Sequence, residues 1–196
     1  MAQITRLGYG QVEDNHLSAK RTGQIYAQLP VTDDIEILEN GRFLKYDVVA
    51  QEANLASTAG EWMLVYNEEK LYDPRYQSHK DFALIKDNFT PGSTAITHYG
   101  VGPFPGQMYT RLLKTNVGDI FTTNTLEQAN TSNMATVQTD ESYDAGDVLV
   151  INEDGFLEKG TAVAGQPAFV VANTAAVNAI TTMPDGQKAV HIQRIQ

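Results

Sequence analysis

The chain has 196 residues, no cysteine, and 24 acidic against 14 basic side chains, a net charge of −10. Disulfide staples and thiolate metal sites are thereby excluded, and the acidic balance repels a phosphate backbone, so no nucleic-acid partner is expected. A hydrophobic fraction of 42% suits one sizeable core or two small ones, while the longest apolar runs are too short to span a bilayer, so no membrane partner is expected either.

Residues 1–30 are polar, carry Gly8, Gly10 and Gly23, and show no sustained helical or strand period. They read as an extended N-terminal arm with isolated apolar anchors, namely Ile4, Leu7, Tyr9, Ile25, Tyr26 and Leu29, but no core of its own. Such an arm is either a tail or a strap laid over another subunit. Its first residues lack the apolar stretch of a secretory signal, so synthesis in a cytoplasm is expected.

Residues 31–115 read as a β-hairpin region with a loop-rich insertion. The Asn40-Gly41 pair lies between the apolar runs of 35–38 and 43–49. It supplies the two positive-φ positions of a tight turn and predicts a hairpin. Trp62-Met63-Leu64-Val65-Tyr66 predicts a further strand. Over 67–90, Pro74 interrupts any helix begun at Asn67, leaving short helical turns, with a second piece near His79 to Ile85. The run Tyr99-Gly100-Val101-Gly102-Pro103-Phe104-Pro105-Gly106 forbids a regular element and offers Tyr99 and Phe104 as apolar contacts.

Residues 116–196 read as a β domain. Val117-Gly118-Asp119-Ile120-Phe121 and Ala145-Gly146-Asp147-Val148-Leu149 repeat at an offset of 28 residues, and Asn124 falls on Asn152. Each copy is a Gly-Asp turn feeding a short strand. Asp154-Gly155 predicts a second hairpin, and 168–172 and 190–195 predict two more strands. The fold class is therefore mainly β, a β-sandwich or barrel with hairpins.

No constellation declares a reaction, and no enzyme activity or cofactor is expected. His16, His79, His98 and His191 lack zinc-site spacing. No serine sits in a nucleophile elbow. The loops at Gly8 and Gly100 lack the residues of a phosphate cradle. The acid cluster Asp140, Glu141, Asp144 and Asp147 departs from the alternate-residue ligands of a calcium loop, so no metal site is assigned. Nine acids against one base over 116–160 give a face suited to solubility or to a basic partner.

The strand Tyr143-Asp144-Ala145-Gly146-Asp147-Val148-Leu149-Val150-Ile151, then Gly155-Phe156-Leu157-Glu158-Lys159-Gly160, then Gly165-Gln166-Pro167-Ala168-Phe169-Val170-Val171-Ala172, resembles the capsid cement, or head decoration, proteins of tailed bacteriophages. The likeness covers about 60 residues of the cement-like 116–196 domain and is a pattern of fold. It implies a structural virion protein that is assembled in the host cytoplasm and carried on the capsid exterior. There it would bind junctions of the major capsid protein and sister copies, as a homo-oligomer such as a trimer, and stabilise the head. Tyr9, Ile25, Tyr26, Leu29, Tyr99 and Phe104 are the partner-binding candidates. The alternatives are another virion part, such as a tail, baseplate or fibre subunit, and a carbohydrate-binding β-sandwich in which Trp62, Tyr66, Tyr72 and Tyr76 stack sugars.

Overall fold

The structure, a computed structural model, describes residues 12–21, 27–32, 34–35, 37–56, 60–67, 83–85, 109–126, 143–173, 179–182 and 188–196. The fold is mainly β, with antiparallel sheets and a single helical turn among the described residues.

In chain order the elements are β1 (Val12–His16), the turn α1 (Ser18–Arg21), β2 (Ala27–Leu29), β3 (Ile37–Glu39), β4 (Phe43–Asp47), β5 (Glu52–Asn54), β6 (Trp62–Val65), β7 (Ala83–Ile85) and β8 (Thr110–Leu113). They continue with β9 (Ile120–Thr123), β10 (Val148–Ile151), β11 (Leu157–Lys159), β12 (Ala168–Val171), β13 (Ile180–Thr182) and β14 (Lys188–Arg194). One sheet runs β2-β8-β6-β4-β5. The other runs β1-β9-β14-β12-β10-β11, with β13 beside β14, and a small third sheet pairs β3 with β7.

The two large sheets are two copies of one unit. Read as first to fifth strand, β2, β4, β5, β6 and β8 take the same spatial order as β9, β10, β11, β12 and β14. The cross-strand pairs agree residue by residue. Tyr46↔Ala53 corresponds to Ile151↔Leu157, and Leu44↔Met63 to Leu149↔Phe169. Val65↔Leu112 likewise corresponds to Val171↔Ile192, and Leu112↔Ala27 to Ile192↔Phe121. Each first strand then bends and makes a parallel bridge to the third strand at the far edge, Val31↔Ala53 in one unit and Leu126↔Leu157 in the other. Both sheets curl in this way, and neither is a closed barrel.

The curl decides which faces are buried. Leu44, Ala53, Met63, Val65 and Leu112 point inward in the first unit and form a core with Val31, Ile35 and Leu38. Their counterparts Leu149, Leu157, Phe169, Val171 and Ile192 point inward in the second. That second interior is filled by the opposite face of the first unit: Phe43, Trp62, Leu64 and Leu113 all join it. The rings of Phe43 and Phe169 lie 5.5 Å apart, and those of Phe121 and Phe169 meet edge to face at 5.7 Å. All four residues of β6 are consequently buried, alternate side chains facing two different cores. A strand covered on both faces has no polar alternation to show.

Three local expectations need correction. Asn40-Gly41 is a turn, but not the turn of a hairpin. β3 pairs with β7, and β4 with β5 and β6, so the chain leaves one sheet for another at this point. The piece near His79 to Ile85 contains a strand, Ala83–Ile85, where helical turns were expected. Residues 12–21 are no loose strap: β1 pairs along β9, and Val12, Leu17 and Ala19 are buried in the second core. The polar letters of Val12–His16 hid this strand because it lies at a sheet edge, where side chains can remain wet.

Candidate functional site

Of the six partner-binding candidates, Tyr9, Ile25, Tyr26, Tyr99 and Phe104 lie outside the described residues. Leu29 is on β2, half-buried against the first core. From the acid cluster, Asp140 and Glu141 lie outside the described residues, as do His79, His98, Tyr72 and Tyr76. Trp62 is buried within the second core with the Lys45 ammonium 4.5 Å from its ring centroid, and Tyr66 packs against that core. Trp62 therefore presents no open ring to a sugar.

The Gly-Asp repeat is a structural device that occurs three times among the described residues. At each copy the glycine N–H donates to the carbonyl of a residue on a neighbouring strand, and that same residue's N–H donates back to the carbonyl of the residue after the glycine. Gly146 donates to Val171 at 3.0 Å, and Val171 donates to the Asp147 carbonyl at 2.9 Å. Gly118 and Arg194 do the same at 2.9 and 2.8 Å, as do Gly41 and Val65 at 2.8 and 2.8 Å. All three glycines have φ between 91° and 94°. Three positions on from each lies a fully buried inward side chain, Leu44, Phe121 or Leu149. The third copy escapes a search for Gly-Asp because Arg42 stands in the aspartate's place.

The aspartates serve as turn caps. The Asp147 carboxylate accepts from the Asp144 N–H at 2.9 Å and meets the Lys159 ammonium at 2.8 Å. The hydrogen bond from Lys159, then that from the Asp144 backbone, hold its carboxyl below the ordinary carboxylate range. Asp119 accepts from the Asn116 N–H at 2.8 Å, and also receives the Ser18 N–H at 3.0 Å together with the Ser18 hydroxyl. Asp119 thus fastens the helical turn after β1 onto the start of β9. Among the described residues no group of three or more metal-ligating side chains is brought together.

Other buried polar side chains also tie segments to one another. Arg194, on β14, donates through its Nη1 to the Thr115 carbonyl and to the Thr115 hydroxyl, the latter at 2.9 Å. Its Nη2 reaches Glu61 at 3.3 Å, and Glu61 meets Lys114 at 2.6 Å. This triad joins the last strand of the second unit to the first unit. Asn40 and Asn67 bond reciprocally, Asn67 N–H to Asn40 Oδ1 at 2.6 Å and Asn40 Nδ2 to the Asn67 carbonyl at 3.0 Å. The Asn67 amide oxygen also accepts the Arg111 N–H at 2.8 Å. From the other direction, the Phe43 N–H donates to the Gly155 carbonyl at 2.8 Å, and Arg42 Nε to the Asp154 carbonyl at 2.9 Å, with its guanidinium 5.0 Å from the Phe156 ring centroid. The β10–β11 hairpin is thereby latched onto β4.

At the tip between β4 and β5, Val48 and Val49 stand in solvent, while Tyr109, Val117, Val163 and Ile195 are exposed elsewhere among the described residues. The Asp47 carboxylate shapes this tip by accepting the N–H groups of Val49 and Ala50, each at 2.9 Å. Comparison with protein-family models, with curated proteins and with solved structures returns no match.

Proposed function

We propose that the chain is a structural virion protein that binds the outer surface of a tailed-phage head at subunit junctions and stabilises it. The observation that carries this reading is what the polar side chains do. Asp119, Asn67, Arg194 and Glu61 are engaged in fastening turns, hairpins and sheets to one another. A scaffold cross-tied in this way suits a mechanical task, in which load passes through the backbone from one contact to the next. The 143–172 segment, on which the likeness to cement proteins rests, forms the β10–β11 hairpin and the strand β12 that pairs with β10, three of the second unit's five strands. The acidic surface supports placement away from packaged nucleic acid, and many weakly held copies on one particle attach firmly through avidity.

Co-sedimentation with emptied heads tests this. Purified protein is expected to pellet with heads and to raise the temperature at which they burst. Protein that stays in the supernatant at saturating concentration, with an unchanged burst temperature, sinks the proposal.

A further inference from the structure

The first and last described strands meet on a common neighbour. β1 lies along one side of β9 and β14 along the other, each antiparallel to it, so β1 and β14 run in the same direction. The register sets them abreast. Val12 and Val190 lie opposite Thr123, Glu13 and His191 opposite Thr122, and Asp14 and Ile192 opposite Phe121. The chain therefore enters β1 at the Thr123 end of β9 and leaves β14 at the Ile120 end.

Tension between those two points pulls β1 back along its own axis and β14 forward along its own. Both ladders of β9 are then loaded along the strands. Their hydrogen bonds lie across the strands, so under such sliding they must yield together. Strands drawn apart sideways lose the same bonds one after another.

One residue sits where the two pulls meet. Just beyond β1, Ser18 gives its N–H, at 3.0 Å, and its hydroxyl to the Asp119 carboxylate. At the exit of β14 the Arg194 N–H donates to the carbonyl of the same Asp119 at 2.8 Å, and the Gly118 N–H donates to the Arg194 carbonyl at 2.9 Å. Sliding of β1 drags Ser18 against Asp119 from one side, and sliding of β14 drags Arg194 against it from the other. Asp119 is buried, and Leu17 and Ala19, which flank Ser18, lie in the second core. The Arg194 guanidinium adds its bonds to Thr115 and Glu61. In the other Gly-Asp copy the Asp147 carboxylate meets Asp144 and Lys159, which belong to no such terminal strand.

We propose that β1, β9 and β14 form a shear clamp locked at Asp119, a device that carries tension applied ahead of β1 and beyond β14 without letting the chain between them unravel. For the origin of the load it rests on the virion reading, in which a protein joining subunits of a pressurised shell is stretched between its attachment points. The clamp itself is a property of the fold and is tested without heads, so either can fail while the other stands.

Single-molecule pulling on the full-length chain in two directions tests it. The sequence has no cysteine, so thiol handles go only where they are introduced. In the first arrangement a cysteine is appended at each end, and the force loads β1 and β14 in shear. In the second the handles are Glu153→Cys, in the turn between β10 and β11, and the C-terminal cysteine. Val150 and Arg194 flank neighbouring residues of β12, Ala168 and Phe169, so this pair draws β14 sideways from the sheet. Forced unfolding follows the unfolding rate along the pulled direction, and the end-to-end pull is expected to need about twice the force of the sideways pull, or more. It is also expected to release residues 12–194 in one step. Asp119→Asn, which replaces an acceptor oxygen with a donor, is expected to narrow the difference between the two directions. The directional comparison keeps Asp119 and so decides the matter even where that variant fails to fold. Three outcomes would overturn the inference: an end-to-end force no greater than the sideways one, β1 stripped off in a separate early step, or a folded Asp119→Asn protein with the difference unchanged.

Discussion

A positive φ is common to Gly41, Gly118 and Gly146, yet the three positions differ in the space around them. A Cβ built on Gly146 meets nothing within 4 Å, whereas on Gly41 it runs into the Thr125 hydroxyl and lies 3.0 Å from a Val12 methyl. Gly146→Ala should therefore cost only the backbone strain, about 1 kcal/mol. Gly41→Ala adds a clash at the seam between the units and should cost roughly 2–4 kcal/mol. Urea midpoints of the two variants give the comparison, and equal losses would mean that the seam yields at no cost. At Asp147 the effect is one of pH. A carboxyl whose folded pKa is depressed contributes stability that is present above its unfolded value, near 3.9, and that is lost as pH falls through the folded one. Its side chain is about one-third exposed, so the contribution is small. Asp147→Asn should reduce the difference between midpoints measured at pH 7 and pH 3, and an unchanged difference would show that Lys159 gives no net stabilisation there.

Among the elements, β1 and its helical turn are where expectation and structure part most usefully. Read as letters, Val12–His16 is a polar stretch; in the fold it covers the edge of β9, while Leu17 and Ala19 fill the second core and Ser18 satisfies the buried Asp119. Removing residues 1–21 should therefore lower the melting temperature sharply. A truncation at 21 that melts like the intact protein would deny β1 its place in the sheet. The strands of 148–151, 157–159 and 168–171 were legible because apolar runs there are framed by Gly and Asp turns. The Asp154-Gly155 hairpin was legible because its two strands are adjacent both in sequence and in space. The hairpin expected at Asn40-Gly41 was not, since local turn chemistry fixes a bend but not which strand lies across from it. The duplication left little trace because matched inward positions need share only apolar character: Leu44 and Val65 recur as Leu149 and Val171, but Met63 answers to Phe169 and Ala53 to Leu157. Residues 66–109 also separate the last two strands of the first unit, against 172–187 in the second. Of the partner-binding candidates, Leu29 alone falls within the described residues.

For the whole molecule, the way the units pack determines how it should unfold. The second unit's interior is completed by Phe43, Trp62, Leu64 and Leu113 from the outer face of the first. Without the first unit, the aromatic rings of Phe121 and Phe169 would lose the surface that covers them, and the buried Arg194 would lose Glu61. Exposing several large apolar side chains costs roughly 1.5–3 kcal/mol each, and a domain's whole stability is only about 5–15 kcal/mol. Neither unit is then expected to stand alone, although each has its own inward-facing residues and a complete strand order. Trp62, the only tryptophan, lies on the shared side of β6 and reports on the seam between the cores, while far-UV circular dichroism reports on both sheets. The two signals should change together at one urea concentration, with a slope appropriate to the whole chain. Glu61→Gln, which weakens the triad joining the units, should move both midpoints down by the same amount. Separate transitions, with the tryptophan signal lost first and sheet content retained, would mean that the seam opens before the units unfold. The chain would then be two independent modules in contact, not one cooperative body.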